Sequence, residues 1–506
     1  MSESFIYGGG LTFYLALMVI IGYMMKDRIK TSEDYLVGGR SFGLFYNSGT
    51  LAACFLGGGI LIGASGKIFS VGIWDKALSG GGLMLIGGFL LCLFLAGNYY
   101  MPRLWRMKLI SLGDLFYVRF GRKAGLLSSI LISVNFLFWV AVQILVFGKI
   151  VNAILGWDLE LSILLAMSVI CAYTMLGGLF AVCFTDIVQV TVTIVGVMLM
   201  IPYCISAVGG WDAFTASYNP SLLQVMPSTL DMDPWLAWFA AFAAVGLGSI
   251  VSPDLMQRAF SAKTPDVARH SAYVAFAILL CFAVMITVLS LAGHILVSKG
   301  VITDPHLLGD PAAGIAADPE LILPVMSKAV LPLPLVVVFL GAGLSAVMSA
   351  AATALLALSG MISMNIYRDA INPNASHESQ VKVTRLLVLV LGIIATVIAL
   401  AYPNAAELSA FGFDLILASL FGAMTLGLFW KKTNAAGAAA GMIAGILFRV
   451  VGAAIESGEV SLTAMAYPPH WYYYTLLSPL VSIITIVFVS LITQKAYEPI
   501  AMAEPA

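Results

Sequence analysis

Residues 44–69 read LFYNSGTLAACFLGGGILIGASGKIF, an apolar run interrupted midway by Gly57, Gly58 and Gly59. The run is long enough to cross a bilayer, which takes about 20 apolar residues in a helix. Glycine is about 1 kcal/mol less favourable than alanine inside a helix, so three in succession let the backbone unwind and expose its carbonyl groups. Close packing of two helices through small residues explains the run equally well. The run therefore predicts a membrane helix with a weak point at its centre.

The composition of the whole chain agrees with a membrane location. Of 506 residues, 61% are hydrophobic and only 10% are charged. Soluble domains carry about 25% charged residues, so a chain this poor in charge has lipid as its solvent. The formal net charge of −1 gives no reason to expect nucleic acid as a partner. We expect the lipid bilayer as the surrounding partner and no nucleic acid.

Apolar runs of sufficient length predict an all-α polytopic protein with thirteen transmembrane helices. Their approximate bounds are 5–25, 44–69, 79–100, 124–148, 158–176, 184–206, 234–254, 269–297, 333–361, 384–402, 407–430, 434–456 and 473–494. The first run has no basic segment before it and is interpreted as a retained helix rather than a signal peptide. An odd number of spans places the two termini on opposite sides.

The basic residues predict the orientation. With the N-terminus outside, nineteen of the 25 Lys and Arg residues fall in cytoplasmic loops. The six others are Lys67, Lys76, Lys149, Lys299, Lys328 and Arg449. Basic residues collect on the cytoplasmic side of membrane proteins. We therefore expect a multi-pass plasma-membrane protein with its C-terminus in the cytoplasm, and the compact loops favour a bacterial inner membrane.

A second weak point lies in the predicted seventh span. It reads Gly246-Leu247-Gly248-Ser249 and is followed by Ser252-Pro253. Interrupted spans at corresponding places in two halves are typical of inverted-repeat transporters that bind their cargo near the bilayer midplane. This predicts repeats at 44–206 and 234–430, with extra segments at 1–43 and 434–506. The expected function is transport of a small organic solute.

Several short motifs resemble those of the sodium:solute symporter family. They are Asp34-Tyr35-Leu36-Val37-Gly38-Gly39-Arg40; Gly177-Gly178-Leu179 with Ala181-Val182 and Thr185-Asp186-Ile187-Val188-Gln189; Gln257-Arg258 with Ser261-Ala262-Lys263; and Asn365-Ile366-Tyr367-Arg368. The chain most resembles the choline-transporter-like branch, through Gly57–Gly59, Ala346-Val347-Met348-Ser349, Asp414-Leu415 and Leu447-Phe448-Arg449. The resemblance implies a LeuT-type fold of two five-helix inverted repeats, and sodium-driven symport.

The resemblance also implies a sodium site. Position by position, its ligands are the carbonyls of Ala53, Leu56 and Ala346 and the hydroxyl of Ser349. The family has a second hydroxyl where this chain has Ala350, and a dehydrated sodium ion needs several hard oxygen ligands. A water or a neighbour such as Thr353 is the expected replacement. Proton-coupled symport and uncoupled facilitated transport or channel activity on the same fold are the alternatives.

One carboxylate belongs to the family signature. The resemblance places Asp186, at the cytoplasmic start of the predicted sixth span, beside the exit route of sodium. A solvated carboxylate at a helix start, stabilised by the helix dipole, is the structural alternative.

The resemblance places an aromatic cage for a quaternary ammonium at Phe55, Trp139 and Ser252, where serine replaces a tryptophan of the choline-type relatives. Physically such a cage acts through cation–π attraction. Gln143 lies one turn beyond Trp139 and is predicted to bond either a polar solute or a neighbouring helix. The candidate solute-binding residues are Phe55, Gly57, Gly58, Gly59, Trp139, Gln143, Gly248, Ser249 and Ser252.

Asp414 and Arg449 form a predicted intramembrane ion pair. Asp414 lies about 10 Å below the predicted outer edge at 1.5 Å per residue, and Arg449 lies at nearly the same depth. Charges inside a membrane are costly and usually pair or line water. We expect a fixed structural pair rather than a proton relay.

Lys67 is predicted to line an outer vestibule. It stands about 16 Å nearer the predicted outer surface than Leu56 does. Asp75 is its expected partner. The segment 298–332 on the same side is acidic, with Asp304, Asp310, Asp318 and Glu320.

Enzymatic function is not expected. The five histidines are scattered, and no metal or nucleophile constellation is evident. A membrane sensor needs a signalling module, for which the segment after the last span is too short. We expect no cofactor beyond the coupling cation, whereas the oligomeric state is left open.

Overall fold

The computed structural model describes residues 3–24, 36–74, 81–311, 315–456 and 470–500. Helices make up nearly all of these ranges, with isolated β-bridges at Phe42–Ala262 and Asp310–Ile315. The main helices are α1 (Glu3–Met24), α2 (Leu44–Phe55), α3 (Gly59–Val71), α4 (Met84–Arg106), α5 (Leu112–Leu155), α6 (Leu159–Val208), α7 (Met232–Val251), α8 (Pro253–Ser261), α9 (Pro265–Ser298), α10 (Ile322–Val330), α11 (Leu333–Ile371), α12 (His377–Ala401), α13 (Ala405–Phe429), α14 (Ala435–Glu456) and α15 (Trp471–Ile492).

Ten helices of the described chain are long and apolar enough to cross a membrane, and the bent pair α2–α3 raises the number to eleven. The predicted count of thirteen is therefore not confirmed. The predicted first and fifth spans correspond to shorter apolar stretches, Ile6–Met18 and Leu159–Ala172. The predicted fifth and sixth spans belong to one helix, α6, which is bent at Gly178.

Burial separates central helices from peripheral ones. In both α5 and α11, 78% of the most apolar window is buried inside the protein, against 33% in α14 and α15. A helix that is apolar all round belongs in the centre of a bundle, whereas a lipid-facing helix leaves apolar side chains on the surface. The helices α5 and α11 thus form the centre, against which the interrupted helices pack.

Polar caps define where several helices begin. The first amides of a helix lack internal partners, so a side-chain oxygen commonly accepts from them. At α5, Ser111 Oγ accepts from Asp114 N–H while the Asp114 carboxylate accepts from Ser111 N–H at 3.0 Å. At α9, Thr264 Oγ accepts from Val267 N–H, and Pro265 occupies the first helical position.

Two family-like motifs contact each other at the predicted cytoplasmic end. Gly38, Gly39 and Arg40 all have positive φ, which turns the chain sharply and aims the arginine at α8. The guanidinium of Arg40 donates to the carbonyl of Phe260 at 3.3 Å, and Phe42 N–H donates to Ser261 O at 3.2 Å. The segment before α2 is thereby attached to the end of α8. Asp34 and Tyr35 of that motif lie outside the described residues.

The Asn365 motif fastens α11 to α5 on the same side. Asn365 Nδ2 donates to Asp114 Oδ1 at 2.6 Å, and its Oδ1 accepts from Ser111 Oγ at 2.6 Å. The hydroxyl of Tyr117 donates to the Asn365 carbonyl. These bonds join the two central helices at the predicted cytoplasmic side.

Candidate functional site

The predicted weak point in the second span is a real break. The helices α2 and α3 meet at an angle of 50°, with Leu56 and Gly57 outside regular helix. Gly58 N–H donates to Gln143 Oε1 at 2.9 Å, and Ile60 and Leu61 N–H both donate to Gly57 O. Within the described chain, the carbonyls of Ala53 and Leu56 accordingly accept no hydrogen bond from the amides four residues ahead. They are available as ligands.

The predicted seventh span is also broken, a few residues later than its glycines suggest. The chain widens into a π-helical turn at Ala243–Leu247 and leaves the helix at Ser252, whose ψ is 136°. Pro253 then begins α8. Proline has no amide hydrogen, so the Ser249 carbonyl accepts instead from Ser252 N–H at 3.2 Å and Ser252 Oγ at 2.7 Å.

The central helix α11 brings Ser349 and Ala350 to the first break. A Cβ atom added to Gly57 would lie 2.6 Å from the methyl group of Ala350, so only glycine fits there. Ser349 Oγ donates to Asp186 Oδ1 at 2.6 Å, and both residues are buried. Ala346 lies one turn earlier on α11 and is also buried. The residues that the family resemblance assigns to sodium thus lie at the end of α2 and on α11, which adjoin each other. The buried carboxylate of Asp186 lies next to Ser349.

Asp186 is fully buried in the middle of α6. Its Oδ2 accepts from Thr50 Oγ1 of α2 and, at 3.3 Å, from Arg258 Nη2 of α8. The alternative of a solvated carboxylate at a helix start is therefore wrong, because α6 runs through this position without a start and neighbouring helices enclose it. Arg258, assigned from the sequence to a cytoplasmic loop, is likewise completely buried. That assignment is corrected: α8 continues inward from the break and carries the charge inside the bundle.

An aromatic cluster lies between the two breaks. It consists of Phe55 at the end of α2, Phe89 on α4, Trp139 on α5 and Phe413 on α13, all buried. Ring centroids are 5.0 Å apart for Phe55–Phe89, 5.7 Å for Phe89–Trp139, 5.5 Å for Phe89–Phe413 and 5.2 Å for Trp139–Phe413. The six-membered ring of Trp139 lies 3.0 Å from where a Cβ of Gly59 would be. The cluster therefore touches the backbone of the first break.

The polar residues predicted for the solute site are engaged locally. Gln143 bonds Gly58 N–H, which is the second of its two predicted roles. Ser249 Oγ donates to the Val245 carbonyl at 2.5 Å, and Ser252 Oγ donates within its own turn. Gly248 lies against the carbonyl of Phe413 so closely that a side chain has no room.

Asp414 and Arg449 meet inside the bundle. Arg449 Nε donates to Asp414 Oδ2, and Thr475 Oγ1 donates to the same oxygen at 2.9 Å. Arg449 Nη1 also lies 3.6 Å from Glu456 Oε2. The pair joins α13, α14 and α15.

On the predicted outer side, a second buried ionic group closes the bundle. Lys149 Nζ on α5 lies 2.5 Å from Glu320 Oε2 and 2.8 Å from Asp318 Oδ2. Glu320 also accepts from the first amides of α13, Ala405 N–H at 3.0 Å and Ala406 N–H at 2.8 Å.

A cavity of about 350 Å³ adjoins this ionic group, with Asp318 and Glu320 in its lining. Lys67 lines it, as predicted for a vestibule residue. Lys67 Nζ lies 3.5 Å from Glu407 Oε1. The partner expected from the sequence, Asp75, lies outside the described residues.

Sequence reasoning missed Phe89 and Phe413, assigned Glu320 only to an acidic outer segment, and misplaced Arg258. Neither phenylalanine stands in a motif, and phenylalanine is common in membrane spans. Arg258 carried a usable signal: it follows the Ser252-Pro253 break by six residues, about 9 Å of helix, which leaves it inside the membrane rather than beyond it. An ionisable residue at such a depth is by default a functional candidate.

Two discontinuous helices side by side, with free carbonyls, a buried carboxylate and an aromatic cluster between them, define a secondary transporter. The sequence model of the sodium:solute symporter family matches residues 35–445. The chain therefore belongs to the sodium:solute symporter family. Its function is sodium-coupled symport of a small solute across a membrane, and the proton-coupled and uncoupled alternatives are not favoured.

Relatives within the family carry different solutes. The chain is 29% identical to the human high affinity choline transporter 1 over 460 residues, covering 87% of this chain and 76% of the relative. It is also 29% identical to the osmoregulated proline transporter OpuE of Bacillus subtilis over 446 residues, covering 86% of each.

The fold is shared with solved transporters. A substrate-bound, outward-open Na⁺-coupled sialic acid symporter superposes with a TM-score of 0.80 at 19% identity, covering 99% of both chains. The nucleobase-cation-symport transporter Mhp1 in a closed conformation gives a TM-score of 0.56 at 13% identity, with 93% of this chain and 96% of Mhp1 covered. The predicted LeuT-type fold is thereby confirmed.

Proposed function

We propose that the solute carries a positively charged, alkylated nitrogen, and that the cluster of Phe55, Phe89, Trp139 and Phe413 recognises it. The four buried rings, which adjoin the broken backbone at Gly59, are the observation that supports this. A cation within about 6 Å of an aromatic face is attracted by about 2 kcal/mol when desolvated. The rings contact one another in this structure, so the solute enters as they separate.

A buried carboxylate supports a cationic solute. Asp254, in the first turn of α8, accepts from Leu255 N–H at 2.7 Å and makes no salt bridge in the described chain, although the charge of Arg258 one turn further along α8 acts on it. It lies close enough to the thiols of Cys54 and Cys92 to interact with them electrostatically. Cys54 adjoins Phe55, and Cys92 lies one turn beyond Phe89. Choline is a quaternary ammonium and proline carries a secondary ammonium, so the solutes named for both relatives have the required nitrogen.

For the coupling ion, we propose a site formed by the carbonyls of Ala53, Leu56 and Ala346 and the hydroxyl of Ser349, with Asp186 behind it. The unbonded carbonyls of α2 and the hydrogen bond from Ser349 to Asp186 support this assignment. Oxygen ligands suit a hard cation, and a nearby carboxylate balances its charge.

We propose that the chain sits in a plasma membrane with its N-terminus outside and its C-terminus in the cytoplasm, since this orientation puts most basic residues inside. The breaks in α2–α3 and α7–α8 support a division into repeats at 44–206 and 234–430. Asp414 and Arg449 are proposed as a structural pair between α13, α14 and α15. Replacing Asp414 by asparagine should lower thermal stability and leave the sodium concentration for half-maximal uptake unchanged.

A matched pair of ligands tests the solute class. Purified protein is heated with choline, or with the uncharged analogue in which carbon replaces its nitrogen, in sodium and in potassium buffer. A ligand that binds only the folded state raises its stability by about 2.7 kcal/mol at 100 times its dissociation constant. We expect choline or proline to raise the melting temperature in sodium only, and the uncharged analogue to have a much smaller effect. Equal stabilisation by choline and its analogue would show that the charge is not recognised.

Coupling is measured separately in proteoliposomes. An inward sodium gradient should stimulate uptake of the solute found above, whereas a proton gradient of the same size should not. Stimulation by protons alone would contradict the proposed ion site.

A further inference from the structure

Arg258 is held more tightly than an ordinary buried ion pair requires. It is among the largest side chains that the structure encloses completely. Its Nη2 donates to Thr353 Oγ1 at 2.8 Å, to Thr50 Oγ1 at 3.1 Å and to Asp186 Oδ2 at 3.3 Å. Its Nη1 donates to Gln257 Oε1 at 2.8 Å. Arginine stays protonated inside proteins, so a permanent positive charge lies in the middle of four helices.

This charge and the proposed sodium site share one carboxylate. Asp186 Oδ2 accepts from Arg258, whereas Oδ1 accepts from Ser349, whose oxygen is a proposed sodium ligand. A sodium ion on Ser349 and the guanidinium therefore lie on either side of Asp186. Two cations that share one buried negative charge repel each other strongly, because the protein interior screens charge less than water does.

The Arg258 guanidinium also binds the hydroxyl group of Thr353. Ala350 lacks the oxygen that the family has at this position, and Thr353 is the neighbour on α11 expected to replace it. In the structure Thr353 Oγ1 already accepts the shortest bond of Arg258 Nη2. Docked arginine thus occupies the oxygens that would strengthen sodium binding.

We propose that Arg258 is a tethered cation that competes with sodium for Asp186: it neutralises the carboxylate once the ion has left and lowers the affinity for its return. Its partners lie on α2, α6 and α11, so the docked guanidinium also joins these helices to α8 on the predicted cytoplasmic side of the breaks. The proposal rests on the sodium site described under the proposed function. Arg258 acts through Asp186 and is a positioning residue rather than a ligand.

Two substitutions distinguish the effect of the charge of Arg258 from the effect of its hydrogen bonds. Arg258→Gln keeps hydrogen-bond donors and removes the charge, whereas Arg258→Lys keeps the charge. We expect Arg258→Gln to lower the sodium concentration for half-maximal thermal stabilisation about tenfold or more, since one buried repulsion is removed. Arg258→Lys should stay within about threefold of the unmodified protein, because the charge remains. Arg103→Gln, on the exposed end of α4, is the matched control and should change nothing.

Transport provides a second readout that a purely structural role would not change. With its competitor removed, sodium should leave Arg258→Gln slowly, so net solute uptake should fall while exchange of labelled for unlabelled solute persists. Unchanged or weaker sodium binding in folded Arg258→Gln would overturn the competition and leave sodium coupling intact. Loss of sodium dependence in the unmodified protein would instead overturn the proposed ion site.

A milder variant covers the case in which Arg258→Gln does not fold. Thr353→Ala removes the nearest hydroxyl anchor of the guanidinium but neither charge. We expect loosened arginine to leave Asp186 more readily and sodium affinity to rise by about threefold, the equivalent of one weak hydrogen bond. A fall in sodium affinity would identify Thr353 as a ligand of the ion and overturn the proposal.

Discussion

Ala350 stands where the family resemblance implies a residue with a hydroxyl group. The methyl group of Ala350 faces Gly57 at the break between α2 and α3, beside the proposed ligand Ser349. A hydroxyl there would point at the same backbone that presents the carbonyls of Ala53 and Leu56. Ala350 thus lies beside the proposed ion site rather than at a distant packing position.

We predict that Ala350→Ser raises sodium affinity by about fivefold, because one added hydroxyl ligand contributes about 1 kcal/mol. Sodium-dependent thermal stabilisation measures this directly. Ala351→Ser, the same substitution at the next buried position of α11, is the control and should leave sodium affinity unchanged. Equal sodium affinity in Ala350→Ser and the unmodified protein would remove Ala350 from the site.

Among the elements, the interrupted helix α7 depends on backbone contact with α13. Gly248 rests on the carbonyl of Phe413, which also contributes a ring to the aromatic cluster. A methyl group at Gly248 cannot be accommodated by rotating a side chain, since the neighbouring atoms belong to the backbone. The two helices must therefore separate to admit one.

We predict that Gly248→Ala lowers the free energy of unfolding by about 2 kcal/mol, as overpacking does, and abolishes solute-dependent stabilisation. Thermal melts with and without solute provide both quantities. Gly341→Ala is the control: Gly341 also lies in a membrane helix but has nothing within 4 Å of an added Cβ, so stability should hold or rise slightly. Normal solute binding by Gly248→Ala would show that the contact between Gly248 and Phe413 is not needed for the solute site.

The element between α9 and α10 closes the predicted outer side. Glu320 links Lys149 of α5 to the first amides of α13, and its backbone packs on Gly66 of α3. Three helices that adjoin the aromatic cluster or the first break are thereby joined by one carboxylate. Opening of the outer side requires this contact to break.

Glu320→Gln should lower the free energy of unfolding by about 3 kcal/mol, because a buried lysine loses its main partner. Adding Lys149→Met should recover much of that stability, since no fully buried charge is then left without a partner and Asp318 is one-third exposed to solvent. Glu407→Gln is the control, because the exposed Lys67–Glu407 pair contributes at most about 1 kcal/mol. Chemical denaturation of the four proteins measures these differences. A double variant no more stable than Glu320→Gln would contradict an ionic link.

At the scale of the whole molecule, one group of polar contacts closes each end of the helix bundle. The Arg40 and Asn365 contacts close one end, and the Glu320 group closes the other. The basic residues follow the first of these ends, which we assign to the cytoplasm. The chain is thus held shut on both sides of its central cluster.

We predict that a fluorescent protein fused after the C-terminus folds and fluoresces, because the proposed orientation puts that end in the cytoplasm. A periplasmic reporter enzyme inserted near Met226, in the exposed segment between α6 and α7, should be active. The opposite pattern would show that the proposed orientation is inverted, so that the end closed by Arg40 and Asn365 faces outside.

The sequence predicts those features that depend only on position along the chain. Depth along a helix follows from the rise per residue, so the sequence alone predicts that Asp414 and Arg449 form an ion pair. Glycine and proline marked the two breaks because they act on the local backbone. The count of thirteen spans is not confirmed, because two of the predicted spans, Ile6–Met18 and Leu159–Ala172, are shorter apolar stretches in the described chain.

By itself, then, the sequence determined the membrane location, the two helix breaks and the family, and it supplied the residues of the proposed ion site. Only the tertiary structure decided that Arg258 reaches Asp186 and Thr353, and that Phe89 and Phe413 close around Trp139. These contacts join residues far apart in the chain, and which neighbour a buried side chain meets depends on the packing of whole helices. No local pattern encodes that choice.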